Sequence, residues 1–353
     1  MPRPLVRLSV IAGGTVFVLW SIYRVAKAVA NRQIDEFMAL LKWLACRDSR
    51  LESYDPPENV MPTAGASLDN APKVDALVVH GCSMVAVPHA AADLFVDVLH
   101  PAGCRTVLLT GGVGRETPPL WGELRSRGLT GLVGHPTPWA HGTLPASIDL
   151  PLQGKIKPVL HEVDLKMAPE KLRTYCSEAD VFLELFAARC AARGVVVVYG
   201  GNPMASDDWS VVGSGDAPRV YLENASTHTG TNVAYSLVSL EKLGLGQSPT
   251  LAVVQQPQLH RRTCLTWHKQ SGVMPVGWTV RPTLGGAGRS IAEQLQYAIG
   301  EFKRIPAYSA ADKNFCSADE SFPHEAAARL IAMEDAISAS VELEEKQNAG
   351  AGA

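Results

Sequence analysis

The sequence predicts an α/β protein: a parallel sheet covered by helices on both faces. Two observations carry this. Several short apolar runs rich in Val, Leu and Ala are continuous rather than alternating, as in strands buried on both sides. Segments with helical periodicity separate them, so strand and helix alternate along the chain and right-handed crossovers join parallel strands.

The elements follow in order. Arg32 to Leu44 sets Ile34, Phe37, Met38, Leu41 and Leu44 on one helical face, and residues 47–74 form a polar, proline-bearing linker. Ala76–His80 is the first buried strand, and the turn Gly81-Cys82-Ser83-Met84 leads to a helix around Val87–Leu99. Arg105–Thr110 is the second strand, ending in Gly111-Gly112-Val113-Gly114; Glu116–Ser126 is helical. From Gly131 to Arg173 the pattern fades into Gly, Pro and His, too long for a connection in a compact domain. We read an insertion near 135–173, and a second near 201–216. Ser177 caps a helix, with Asp180 at its third position completing a capping-box variant.

Gly194–Gly201 is strand-like, and Val220–Glu223 is a strand that ends in a carboxylate. A hydroxyl-rich loop then leads to the amphipathic helix Asn232–Leu243. Thr250–Gln255 is the next buried strand, followed by a helix over Leu259–Lys269 and a last strand over Gly277–Arg281. Ile291–Phe302 and Glu325–Glu345 are helices, and 346–353 is an Ala/Gly-rich disordered tail. The implied layout is a hydrophobic segment (1–31), helix and linker (32–71), α/β domain (72–290) and C-terminal helices (291–345), with no internal repeat.

Composition narrows the function. The hydrophobic fraction of 46% and charged fraction of 19% fit a globular protein with a buried core. A net charge of −3 without a basic cluster argues against nucleic acid as a partner. Seven scattered cysteines without a C-x-x-C argue for reduced thiols in a reducing compartment. The histidines and acidic residues show no metal-ligand spacing, so no metal site is predicted. Leu8–Tyr23 is sixteen residues without a charge, flanked by Arg3, Arg7, Arg24 and Lys27. It reads as a short N-terminal hydrophobic helix that anchors the chain to a membrane. A secretory signal and an organellar (mitochondrial) presequence are the other readings.

The richest stretch is Val220–Asn232. In open parallel sheets, ligands bind at the carboxyl ends of strands. Glu223 stands at such an end, followed by Ser226, Thr227, Thr229 and Asn232; capping a helix needs one hydroxyl, and this loop holds more. The Gly111-Gly112-x-Gly114 turn permits close approach of an anion, or is simply a tight strand–helix joint. Gly81-Cys82-Ser83-Met84-Val85 occupies the place of a nucleophile elbow, but Val85 replaces its second glycine. Glu178 in the first turn of its helix suits the dipole, or converges with Glu223 as a second acid. Arg261 and Arg262 open a helix, where cations oppose the dipole unless an anion compensates.

These motifs, in this order, carry a resemblance: a glycine turn at Gly81; Thr110-Gly111-Gly112; Ser177-Glu178-Ala179; Glu223-x-x-Ser226-Thr227-x-x-Gly230-x-Asn232; and Gln255-x-Pro257-x-x-x-Arg261-Arg262-Thr263. The set resembles the bacterial YdcF/SanA-like family (domain of unknown function 218), closer to its YdcF branch, over about residues 33–335. The resemblance implies a Rossmann-like sheet with a cleft at its carboxyl edge and a C-terminal helical part beside it. It also implies S-adenosylmethionine or a similar nucleotide-like small molecule as ligand, with no established reaction. Gly111, Gly112, Glu178, Glu223, Ser226, Asn232 and Arg262 match family-pattern positions. Where many family members have a histidine, this chain has Leu259, with His260 displaced by one.

The expected ligand-binding set is therefore Gly81, Gly111, Gly112, Glu178, Glu223, Ser226, Thr227, Asn232, Gln255, Arg261 and Arg262. Glu178 and Glu223 are the candidate catalytic pair in a hydrolase or transferase reading. A membrane-tethered envelope or regulatory factor without catalysis is the other alternative. The sequence does not determine the oligomeric state.

Overall fold

The computed structural model describes residues 34–45, 72–112, 114, 116–127, 129, 177–204, 216–246, 248–280, 291–310, 315–332 and 334. Leu8–Tyr23, most of the linker, the 135–173 segment, residues 205–215 and the C-terminal tail lie outside them.

Six parallel strands form one sheet: β1 (Ala76–His80), β2 (Thr106–Thr110), β3 (Val198–Gly201), β4 (Arg219–Glu223), β5 (Leu251–Val254) and β6 (Val276–Trp278). Their spatial order is β3-β4-β2-β1-β5-β6. The central strand β1 pairs in register with β2 on one side and β5 on the other, with Ala76 opposite both Thr106 and Leu251. This is a Rossmann-like α/β fold, and the residues explain its layers. Alternate side chains such as Leu77, Val79, Leu109 and Leu222 pack beneath α2 (Ala86–Leu94), α3 (Thr117–Ser126) and α4 (Glu178–Ala192). Those between them, including Val78, Leu108, Tyr221 and Val253, face α5 (Thr229–Lys242) and α6 (Pro257–Ser271). The helices after β1 and β5 thus leave on opposite faces, which opens a crevice at the carboxyl edge between two adjacent strands.

A third apolar cluster lies beside the sheet. Helix α1 (34–45) buries Phe37, Leu40, Leu41 and Leu44 against α7 (Ile291–Ser309), α8 (His324–Ala332) and Leu265 of α6. Trp43 stacks on Phe302 at 5.6 Å, and the Arg261 guanidinium lies 4.3 Å over the Trp43 ring. Among the described residues, no helix is long and apolar enough to cross a membrane.

Several boundaries differ from the sequence reading for local reasons. Ile34 is 45% exposed at the start of α1, because the buried stripe runs through 37, 40, 41 and 44. α2 continues beyond Leu94 as a π-turn over Phe95–Leu99. α4 keeps its predicted capping box, Ser177 Oγ accepting from Asp180 N at 3.1 Å. β3 pairs only from Val198, since it is an edge strand and Val196 is 74% exposed. Gly200 in it has no substitute, because a Cβ there would stand 2.2 Å from the Tyr221 ring. α5 begins three residues early because His228 caps it, Nδ1 accepting from Thr231 N at 3.3 Å. α6 begins at Pro257, whose missing N–H costs nothing at the first helical position. β6 lies at Val276–Trp278 rather than Gly277–Arg281, and α7 runs through Pro306 to Ser309. That proline has no N–H to give the carbonyl four residues back, so the helix forgoes one bond there.

Candidate functional site

A cavity of about 490 Å³ opens at the carboxyl edge of the sheet, roofed by α7. Gly81, Glu178, Ser226, Thr227, Asn232, Gln255 and Arg262, expected from the sequence, all line it. Four other expected residues do not. Glu223, Gly111 and Gly112 stand behind the wall, and Arg261 points away from the cavity.

Each displaced residue has a structural task. Glu223 is fully buried; its Oε1 accepts from Ala225 N at 2.7 Å and Ser226 N at 2.9 Å, and its Oε2 from Ser226 Oγ at 2.6 Å. The Asn232 side-chain amide closes on the same hydroxyl. The carboxyl therefore clamps its own loop and presents Ser226, Thr227 and Asn232 to the cavity. Burial raises its pKa to about 7, against the pull of the Ser226 hydroxyl and the loop N–H groups. Glu223→Ala would leave these donors without an acceptor and cost about 2–4 kcal/mol. Glu223→Gln, which keeps one carbonyl acceptor, should cost less; urea unfolding of both variants checks the order.

The two glycines serve protein rather than ligand. Gly111 has φ +128°, and a Cβ on it would meet Glu178 Oε2 at 3.0 Å. A Cβ on Gly112 would stand 2.5 Å from the Ser226 carbonyl oxygen, to which Gly112 N donates at 2.6 Å. Gly81 likewise has no room for a side chain, because its Cβ would lie 2.3 Å from Glu178 Oε2. Glu178 is thus laid across two glycine backbones at the strand ends. Arg261 is bound to Asp319 of the helical cluster, Nε to Oδ2 at 2.5 Å and Nη2 to Oδ1 at 3.0 Å.

Inside the cavity, two carboxyl groups share one end. Glu178 is buried, and Thr117 Oγ1 donates to its Oε1 at 2.8 Å. Burial raises its pKa to about 8; the Thr117 hydroxyl pulls it down and the Glu116 charge pushes it up. Glu116 accepts from Ser83 Oγ at 2.7 Å and from the Tyr297 hydroxyl at 2.6 Å. Gln255 is held in place, Nε2 donating to Gly81 O at 3.3 Å and Oε1 accepting from Gln256 N at 2.8 Å. At the other end Arg262 and Arg304 bind the buried Glu301, beside Tyr308 and Phe315, whose rings meet edge to face at 5.5 Å.

His80 and His260 are fully buried behind the cavity wall. His80 accepts from Trp267 Nε1 at 2.8 Å, and burial followed by the neighbouring His260 lowers its pKa to about 3. The His260 ring lies 3.1 Å from Val253 O, fully buried, while Leu259 takes the place on the cavity wall. Ser83 donates to Glu116 Oε2 at 2.7 Å and to Gln256 Oε1 at 3.3 Å. That arrangement does not resemble a nucleophile elbow. Among the described residues, no group of three or more His, Cys, Asp or Glu side chains is placed to hold a metal ion.

Sequence reasoning missed Glu116, His228, Tyr297, Glu301, Arg304, Tyr308 and Phe315. Four of these recur along α7 at i, i+4, i+7 and i+11, one face of a helix, so a polar stripe was there to be read. Which neighbour that face meets is set by tertiary packing alone. No protein-family model matches the chain, and no curated protein is significantly similar to it in sequence.

Proposed function

We propose that the chain is a YdcF-like protein whose edge cavity binds S-adenosylmethionine or a similar nucleotide-like small molecule. One observation carries the reading. At the strand-order switch point, a cavity of about 490 Å³ brings together hydrogen-bond acceptors, an aromatic pair and arginines. That volume lies within the range of roughly 300–1,000 Å³ usual for small-molecule sites. Glu178 and Glu116 would accept from ribose hydroxyls or an ammonium group, and Asn232 and Ser226 would orient the ligand. Tyr308 and Phe315 offer faces for a base. The motif order around Gly81, Glu178, Glu223 and Arg262 supports the family assignment. Glu223 then acts through the loop it clamps, and no reaction is assigned.

S-adenosylmethionine in hundredfold excess over its Kd should stabilise the full-length protein by about 2.7 kcal/mol, raising the melting temperature. Tyr308→Ala, which removes part of the aromatic wall, should abolish most of that rise. Absence of any shift with S-adenosylmethionine, adenosine or AMP would sink the proposal.

A further inference from the structure

The cavity face of α7 is charged asymmetrically. Glu301 is fully buried and takes hydrogen bonds from two arginines. Arg262 donates from Nε to Oε2 at 2.5 Å and from Nη2 to Oε1 at 3.2 Å, and Arg304 Nη1 donates to Oε1 at 2.9 Å. One carboxylate balances one guanidinium, so the three residues together carry a surplus positive charge on the cavity wall. Arg262 Nη1 and the Nε and Nη2 of Arg304 have no hydrogen-bond partner among the described residues. Gly300 leaves room for the arrangement. A Cβ there would stand 2.9 Å from Arg304 Nη1, so a larger residue would make the guanidinium shift from its place beside Glu301.

A half-buried cation with free N–H groups, facing a cavity rather than open solvent, is stabilised by an anion that fills its fork. Arg304 lies seven residues along α7 from Tyr297, about 10 Å at 1.5 Å per residue, and Tyr297 holds Glu116. The cavity is therefore bipolar, with carboxyl groups at one end and surplus guanidinium at the other.

We propose that Arg304, with Nη1 of Arg262, forms a subsite for an oxyanion of the ligand, a carboxylate or a phosphate. It would lie one to two helical turns from the hydroxyl-bearing part held by Glu116 and Glu178. This rests on reading the cavity as a small-molecule site, and it restricts the ligand to one with an anionic group at that distance. Arg304 sets specificity, and Glu301 and Gly300 position it.

The test uses the full-length protein. Melting temperature is compared in sodium phosphate and in sodium chloride of equal ionic strength. Affinities are compared within two pairs: AMP against adenosine, for a phosphate, and S-adenosylmethionine against methylthioadenosine, for a carboxylate. The expected result is a phosphate-specific stabilisation, or at least tenfold tighter binding of the member of one pair that bears the phosphate or carboxylate, that disappears in Arg304→Gln. Gly300→Ala improves helix propensity and crowds the guanidinium, so it should fold and weaken the same preference. If phosphate and chloride act alike and neither pair discriminates, or if the preference survives in Arg304→Gln, the subsite does not exist. The phosphate comparison decides the matter even if no nucleoside binds, so it separates this inference from the choice of ligand.

Discussion

Arg262→Met is expected to destabilise the protein by about 3–5 kcal/mol, because it strands a buried carboxylate. Glu301 has no exposed surface, and the Arg262 side chain is only 13% exposed, so water cannot take the place of the lost guanidinium. Arg304 remains, but it reaches only Oε1, leaving Oε2 without its donor. Burial alone would push Arg262 toward neutrality; the Glu301 charge and hydrogen bonds more than offset it and hold the guanidinium charged. The pair is therefore worth little compared with an apolar one, yet breaking it from one side is costly. The double variant Arg262→Met/Glu301→Leu should recover most of the loss. Urea unfolding of the wild type, both single variants and the double variant closes the cycle. Strict additivity of the single losses would show that the two side chains do not act as a unit.

That pair also marks what the sequence could reveal. Strand identity was legible because β1, β2, β4 and β5 are short apolar runs with no polar alternation, the signature of burial on both faces. Helix starts were legible where chemistry announces them, as at Ser177 with Asp180, but not where His228 acts as an N-cap. The carboxyl-edge site was legible as a neighbourhood: the residues after β1, β4 and β5 and at the start of α4 converge there because parallel strands bring their ends together. The division of labour was not. Glu223 and Glu178 both follow the sheet edge, yet one is saturated by its own loop and the other faces the cavity. Arg261 and Arg262 are adjacent in sequence, and successive helical positions diverge by about 100°, so one meets Asp319 and the other Glu301. Glu116 and Arg304 belong to no recognisable motif. They enter the site because α3 and α7 bring them there, and that contact joins residues far apart in the chain.

Stability should fall as pH rises through the neutral range, and Glu178→Gln should remove most of that fall. Burial holds the Glu178 carboxyl in its protonated form up to about 8, against 4.5 for the unperturbed group. Between those values the unfolded chain has released the proton and the folded chain has not. The folded state then binds more protons, so rising pH favours unfolding, and the loss is complete once pH exceeds about 8. The full effect is on the order of 4–5 kcal/mol at 1.36 kcal/mol per unit. Glu223 acts in the same direction, but only up to about 7, so the variant should keep a shallower slope below that pH. Gln at position 178 keeps an acceptor for the Thr117 hydroxyl and mimics the protonated acid, so wild type and variant should match near pH 4.5. They should differ most above pH 8, with the variant the more stable. Denaturant titrations across pH test this, and parallel curves for the two proteins would contradict it. The same proton bears on the ligand. An ammonium or sulfonium group beside Glu178 favours the ionised form, so a cationic ligand must expel the proton as it binds and should bind more tightly as pH rises toward 8. A ligand that offers only hydroxyls expels none. Calorimetry in buffers of different ionisation enthalpy distinguishes the two: proton release on binding S-adenosylmethionine, absent in Glu178→Gln, identifies Glu178 as the group that receives the ligand's positive charge.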